Sequence, residues 1–167
     1  MCAELKIVAN GLCIFSRIYF FAFIQLHDSV IDDSLSGTTA ISVLIIDDVM
    51  YCSNVGDSRA ILISKEPSGK SYITPLSDDQ TPFRKDERER VKKFGARIMS
   101  MEQLEENAPI HENWGDLQQG DEIDENGDPP RVWSPYGDYP GTAFTRSIGD
   151  SIAKELGVSA DPEIRVR

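Results

Sequence analysis

Thr39-Ala40-Ile41-Ser42-Val43-Leu44-Ile45-Ile46, then Asp47-Asp48, then Val49-Met50-Tyr51-Cys52-Ser53-Asn54-Val55 is the stretch that decides how this chain folds. The first run is rich in β-branched residues, the second carries Val49, Tyr51 and Val55, and both are short enough to be strands rather than helices. Positions 39, 41, 43 and 45 alternate with 40, 42, 44 and 46, and both sets are largely apolar. Asp47-Asp48 reads as a tight turn between two strands. Gly56-Asp57 ends the second, and Arg59 to Ser64 makes a third. A polar turn with Pro67 and Gly69 leads to a short fourth, Ser71 to Leu76. Four short strands with tight connections predict an antiparallel meander with at least one well-covered face.

A helix is expected next. Thr81 suits the N-cap and Pro82 the first turn, Asp86/Arg90 and Glu89/Lys93 fall at i, i+4, and Gly95 offers a left-handed stop after Phe94. The charge of this segment predicts an exposed structural helix with Val91 and Phe94 as its packing residues. Met101 to Glu106 reads as a short helix, Arg131 to Ser134 as a strand, Pro135 to Pro140 as a turn-rich loop, and Ser147 to Leu156 as a helix ending at Gly157. Strands first, then helices and loops, point to an α+β or layered sandwich rather than a βαβ nucleotide fold. No internal repeat is visible.

Upstream, Leu12 to Ile24 is an aromatic-rich apolar run broken by Arg17, too short for a membrane span. No A-x-A cleavage site follows it, which argues against a signal peptide. The chain has 167 residues and is 40% hydrophobic, enough for one folded core. Three cysteines, Cys2, Cys13 and Cys52, form no C-x-x-C pair and fit free thiols in a reducing compartment, cytoplasmic or nuclear.

The net charge of −11 is concentrated in one place. Between Arg97 and Arg131 there is no Lys or Arg, while Glu102, Glu105, Glu106, Glu112, Asp116, Asp121, Glu122, Asp124, Glu125 and Asp128 are acidic; the rest of the chain is nearly balanced. With no basic patch, nucleic-acid binding by phosphate neutralisation is disfavoured. The tract is either a solvated loop or an attractor of basic peptides and cations.

Several familiar motifs fail on inspection. Ser68-Gly69-Lys70-Ser71 ends like a P-loop, but Ser64 stands where the first glycine belongs and no helix follows. Gly56-Asp57-Ser58 continues into Arg59-Ala60, without the glycine of a nucleophile elbow. A calcium loop with Gly127 at its sixth position would place Trp133 at the twelfth, where a bidentate carboxylate is required. Nothing marks His27 or His111 as a metal ligand.

Three blocks in order do form a recognisable pattern. The first is Ser36-Gly37-Thr38-Thr39-Ala40 followed by Asn54-Val55-Gly56-Asp57-Ser58-Arg59-Ala60. The second is Leu76-Ser77-Asp78-Asp79-Gln80-Thr81-Pro82, with Glu89-Arg90-Val91 and Gly95-Ala96-Arg97 behind it. The third is Gly141 to Asp150, then Asp161-Pro162-Glu163-Ile164. Together they resemble the PPM (type 2C) metal-dependent protein serine/threonine phosphatases, most closely plant- and protist-type members, over roughly Gln25 to Arg167. The first 24 residues lie outside the match, and about 98–139 corresponds to the family's variable flap.

The resemblance implies a partial sandwich of antiparallel β-sheets flanked by helices. It implies two Mg²⁺ or Mn²⁺ ions whose bridging water attacks phosphorus, and phosphoserine/phosphothreonine proteins as substrates. Some such relatives carry cyclic-nucleotide-binding or kinase domains on the same chain. Asp57 matches the family aspartate of a third, weaker metal ion; a turn-stabilising aspartate is the plainer alternative. Arg146, Asp150 and Arg59 match positions read as structural, in ion pairs or hydrogen bonds. The Asp-Gly-His-Gly-Gly block expected before Ser36 and the Ser-Asp-Gly-Leu-Trp-Asp block expected after Ile164 are not among these residues. The expectation is therefore no catalytic residue here, Asp57 as the sole metal candidate, and no turnover by residues 1–167 alone. A non-catalytic pseudophosphatase or phosphoprotein-binding module is the alternative. The acidic flap is expected to favour basic phosphopeptides, through Asp121, Glu122, Asp124 and Glu125 among others.

Overall fold

A computed structural model of the chain describes residues 17–115 and 127–167, apart from 20 and 23. Asp121, Glu122, Asp124 and Glu125 of the acidic tract lie outside the described residues.

Helical residues at 17–19, 21–22 and 24–27 (α1) lead into a short strand, Gly37–Thr38 (β1). The two apolar runs then pair as expected, Ala40–Ile46 (β2) with Val49–Val55 (β3), in unbroken antiparallel register from Ala40↔Val55 to Ile46↔Val49. Asp47 closes the two-residue turn at φ 53°, a left-handed conformation that Asp tolerates better than bulkier residues. One face of the pair carries Leu44, Tyr51 and Val55, and Tyr19 of α1 packs into it, its hydroxyl donating to Ser42 Oγ at 3.0 Å. On the opposite face Val43 and Ile45 are exposed.

The meander ends there. The next hairpin, Ile61–Lys65 (β4) with Ser71–Pro75 (β5), forms a sheet of its own. The free edge of β3 is taken instead by Glu163–Val166 (β10), with Glu163↔Asn54 and Val166↔Tyr51. The expected four-strand meander is thus corrected, and the cause lies at the end of β3. Gly56 adopts φ 105°, and its N–H donates to Gln80 Oε1 at 2.6 Å while Gln80 Nε2 donates to Asn54 O. The backbone groups that could have continued the ladder are spent on a buried glutamine.

The helix of the second block runs only Lys85–Lys92 (α2), with Arg84 rather than Thr81 at the N-cap. The carbonyls of Pro82 and Phe83 are engaged by Arg88 Nη1 at 2.8 and 2.9 Å, which holds that segment as a turn. Gly95, at φ 88°, follows the helix as anticipated. A three-stranded antiparallel sheet comes next: Arg97–Met99 (β6), Arg131–Trp133 (β7) and Pro140–Thr142 (β8), with β7 central. Met101–Leu104 (α3) starts on a capping box between Ser100 and Gln103.

The helix expected from Ser147 is shorter and begins later. Ile148–Gly149 is a strand (β9) paired with β1, and the helix proper is Ser151–Lys154 (α4). Gly149 at φ 83° and Asp150 at φ 52° cannot belong to a right-handed helix. Val91, Ala96, Ile98, Val132, Ala153, Leu156 and Val158 form a second core that joins α2, β6, β7 and α4. Among the described residues, no helix is long and apolar enough to cross a membrane.

Candidate functional site

The segment read as an exposed charged helix is built into the interior. Glu87 and Arg88 of α2 are buried with Val91, whereas Phe94 is 58% exposed. Glu87 lies at the centre of an ion-pair network linking three parts of the chain. It accepts from Arg90 Nη2 at 2.6 Å, from Arg146 Nη2 at 2.7 Å and from the Thr145 hydroxyl. Glu163, at the start of β10, accepts from both terminal nitrogens of Arg84 at 2.8 Å and from Arg146 Nη2 at 3.3 Å. Asp86 takes the other side of the Arg84 guanidinium at 2.6 and 3.1 Å.

This arrangement sets the charge states. Burial alone would raise the Glu87 pKa, but hydrogen bonds and charge from Arg146 and Arg90 outweigh it and hold the group at about 2. Burial opposes ionisation of Glu163 as well, and Arg84 chiefly reverses it to a net lowering. The Arg84 hydrogen bond lowers Asp86.

Asp86, Glu87 and Glu163 offer carboxylate oxygens within 4.8 Å of one another, a grouping able in principle to hold a cation. Here Arg84, Arg90 and Arg146 bind those same oxygens, so three guanidinium charges already balance three carboxylates. A divalent ion, which needs six or more oxygen ligands, does not fit this cluster. Asp57, the sequence candidate for metal, is exposed on the turn after β3. Beside it Ser58 Oγ and Thr39 Oγ1 share a hydrogen bond of 2.7 Å. A single carboxylate on a turn supplies one ligand, and the residues described do not make a two-metal centre.

Arg146 and Arg59 are structural, as expected. Arg146 joins Glu87 to Glu163, and Arg59 grips Asp79 through Nε at 3.1 Å and Nη2 at 2.8 Å. Asp150 is buried against Gly37, where a Cβ would fall 2.0 Å from Asp150 Oδ2. Sequence reading missed Glu87, Arg84 and Glu163. Each lies in or beside the matched blocks, but a charged residue in a polar run carries no local sign that it faces inward.

The family described as Protein phosphatase 2C matches residues 22–167. Among relatives, "Probable protein phosphatase 2C 35" of Arabidopsis thaliana is 54% identical over 84% of this chain and 39% of its own length. "Probable protein phosphatase 2C 64" of Oryza sativa subsp. japonica is 36% identical over 82% of this chain and 27% of its own. The chain thus spans about two fifths or less of the length of these curated relatives. The solved serine-threonine phosphatase 2C from Toxoplasma gondii superposes with a TM-score of 0.57 at 17% identity, over 78% of this chain and 37% of that one, and shows the shared fold. The order of the three blocks, the α+β arrangement of antiparallel sheets and the family match over 22–167 agree: the chain belongs to the protein phosphatase 2C family.

Proposed function

We propose that this chain serves a metal-dependent protein serine/threonine phosphatase, hydrolysing phosphoserine and phosphothreonine in proteins with Mg²⁺ or Mn²⁺. The observation that carries this reading is the family match across 22–167, supported by 54% identity to a plant relative named as a probable phosphatase of this type. When bound, such ions supply a water nucleophile and stabilise the charge that develops on phosphorus. Asp57 is the residue of this chain that we assign to the metals, as ligand to a third, weaker site. The remaining described residues serve as scaffold: the Glu87–Arg146–Glu163 network ties α2, the segment before β9, and β10 into one frame.

Two measurements test this. Residues 1–167 alone, given a phosphothreonine peptide and Mn²⁺, should release no phosphate; clear turnover abolished by EDTA would show that the metal centre resides within them. Residues 25–167 placed into the 54%-identical plant relative in place of its matching segment should retain Mn²⁺-dependent activity. A folded but inactive chimaera would count against the phosphatase reading.

A further inference from the structure

The turn that carries Asp57 is fastened on both sides of that residue by the segment Ser77 to Gln80. Upstream, the Gly56 N–H donates to Gln80 Oε1 at 2.6 Å. The Gly56 carbonyl accepts from the Gln80 N–H at 3.1 Å and from Asn54 Nδ2 at 2.9 Å. Downstream, Arg59 grips Asp79 through Nε and Nη2, and the Ala60 N–H donates to Ser77 Oγ at 2.9 Å. Ser58 is tied to Thr39 Oγ1, and Asp57 stays exposed between these anchors. We propose that Gln80 is a positioning residue for Asp57, fixing the Gly56 backbone so that the Asp57 carboxylate is already oriented when a divalent cation arrives. The inference rests on the reading of Asp57 as a metal ligand.

The N–H and C=O of Gly56 belong to the two peptide groups flanking its Cα. Holding both therefore fixes φ and ψ at Gly56, and with them the direction in which the chain enters Asp57. The conformation held is one that only glycine takes readily: φ is 105°, and a Cβ there would fall 2.3 Å from Thr39 Cγ2. Gln80 is fully buried, and its amide is used at both ends: Oε1 accepts from Gly56, and Nε2 donates to Asn54 O at 3.2 Å. A side chain without an amide could not supply both bonds from that position: a carboxylate cannot donate and a hydrocarbon can do neither. Asparagine carries the same groups one methylene short. The segment is braced in turn from elsewhere. The Thr145 N–H donates to Gln80 O at 2.8 Å, and Asn54 Nδ2 donates to Asp78 O at 3.0 Å. A ligand already held in place loses less freedom when it binds an ion, which is how a supporting residue with no contact to the ion can raise affinity.

The test uses the isotope-labelled 167-residue protein, with Mn²⁺ alone as the probe, and reads nitrogen relaxation and paramagnetic broadening of each amide by NMR. In the parent, the order parameter at Asp57 should be about 0.85, and Mn²⁺ should broaden the amides at positions 57 and 58. Asp57→Asn should remove that broadening. Gln80→Met keeps the side-chain volume but deletes both amide bonds. It should lower the broadening at least about threefold and drop the order parameter at Asp57 below about 0.6, while amide exchange within the β2–β3 hairpin stays at parent rates. Gln80→Asn should behave in the same way and serves where Gln80→Met does not fold. Broadening lost in Asp57→Asn but unchanged in the Gln80 variants would overturn the proposal and leave the metal assignment standing. Broadening unchanged in Asp57→Asn would fail the metal assignment itself, and the proposal with it. The parent alone also decides: an order parameter below about 0.6 at Asp57 would mean that nothing holds the turn.

Discussion

Glu87 shows how one side chain can carry more than its sequence neighbourhood suggests. Its folded pKa of about 2 lies below the ordinary 4.5, so its stabilising contribution is complete above about pH 4.5 and disappears as pH falls through 2. Glu87→Gln should cost about 3 kcal/mol at pH 7, because Arg90 and Arg146 then lose their buried counter-charge. Urea unfolding at pH 7 measures this, and a midpoint within error of the parent would mean that the network is ornamental. Gly149 makes a second point at this scale. Its φ is 83°, and a Cβ added there would fall 2.5 Å from Ser36 O, which leaves no room for a side chain. Gly149→Ala should destabilise by about 2 kcal/mol and loosen the β1–β9 pairing, seen as faster amide exchange at Asp150, whose N–H donates to Ser36 O.

Among the elements, β10 and the β4–β5 hairpin differ sharply in what they contribute. β10 closes the edge of β3 and brings Glu163 to Arg84 and Arg146, so it joins the sheet to the ion network. Ending the chain at Ala160 should therefore abolish cooperative thermal unfolding; a transition that stays sharp would show that β3 does not need this partner. The hairpin exposes Ile61, Ile63 and Ile73, and among the described residues its strands pair only with each other. Ile63→Thr together with Ile73→Thr should change stability by no more than about 0.5 kcal/mol, whereas Leu156→Ala in the second core should cost about 3 kcal/mol. Chemical denaturation of both variants compares the two elements directly.

For the molecule as a whole, acid is the informative perturbation. Asp86, Glu87 and Glu163 all have lowered pKa values, so the folded state binds fewer protons than the unfolded one across the carboxylate range. Stability should hold above about pH 4.5 and fall steeply toward pH 2, followed by far-UV circular dichroism. Glu87→Gln should flatten that slope. A parent protein equally stable at about pH 2.5 and 6 would contradict the assigned charge states.

The amino-acid sequence by itself determined the β2–β3 hairpin, the stop at Gly95, the strand at Arg131 and the family, because alternation, turn residues and block order are local signals. It also pointed to Arg146 and Arg59 as structural. Only the tertiary structure decided that β3 pairs with β10 instead of β4, that a helix as charged as α2 buries Glu87 and Arg88, and that Ser147 to Asp150 is not helical. Each of these depends on partners far along the chain: Gln80 capping β3, Arg146 reaching Glu87, Ser36 receiving the Asp150 N–H. A buried charge is tolerated only when its counter-charges are in place, and the local window around Glu87 holds only one of its two, Arg90; the other, Arg146, comes from far along the chain.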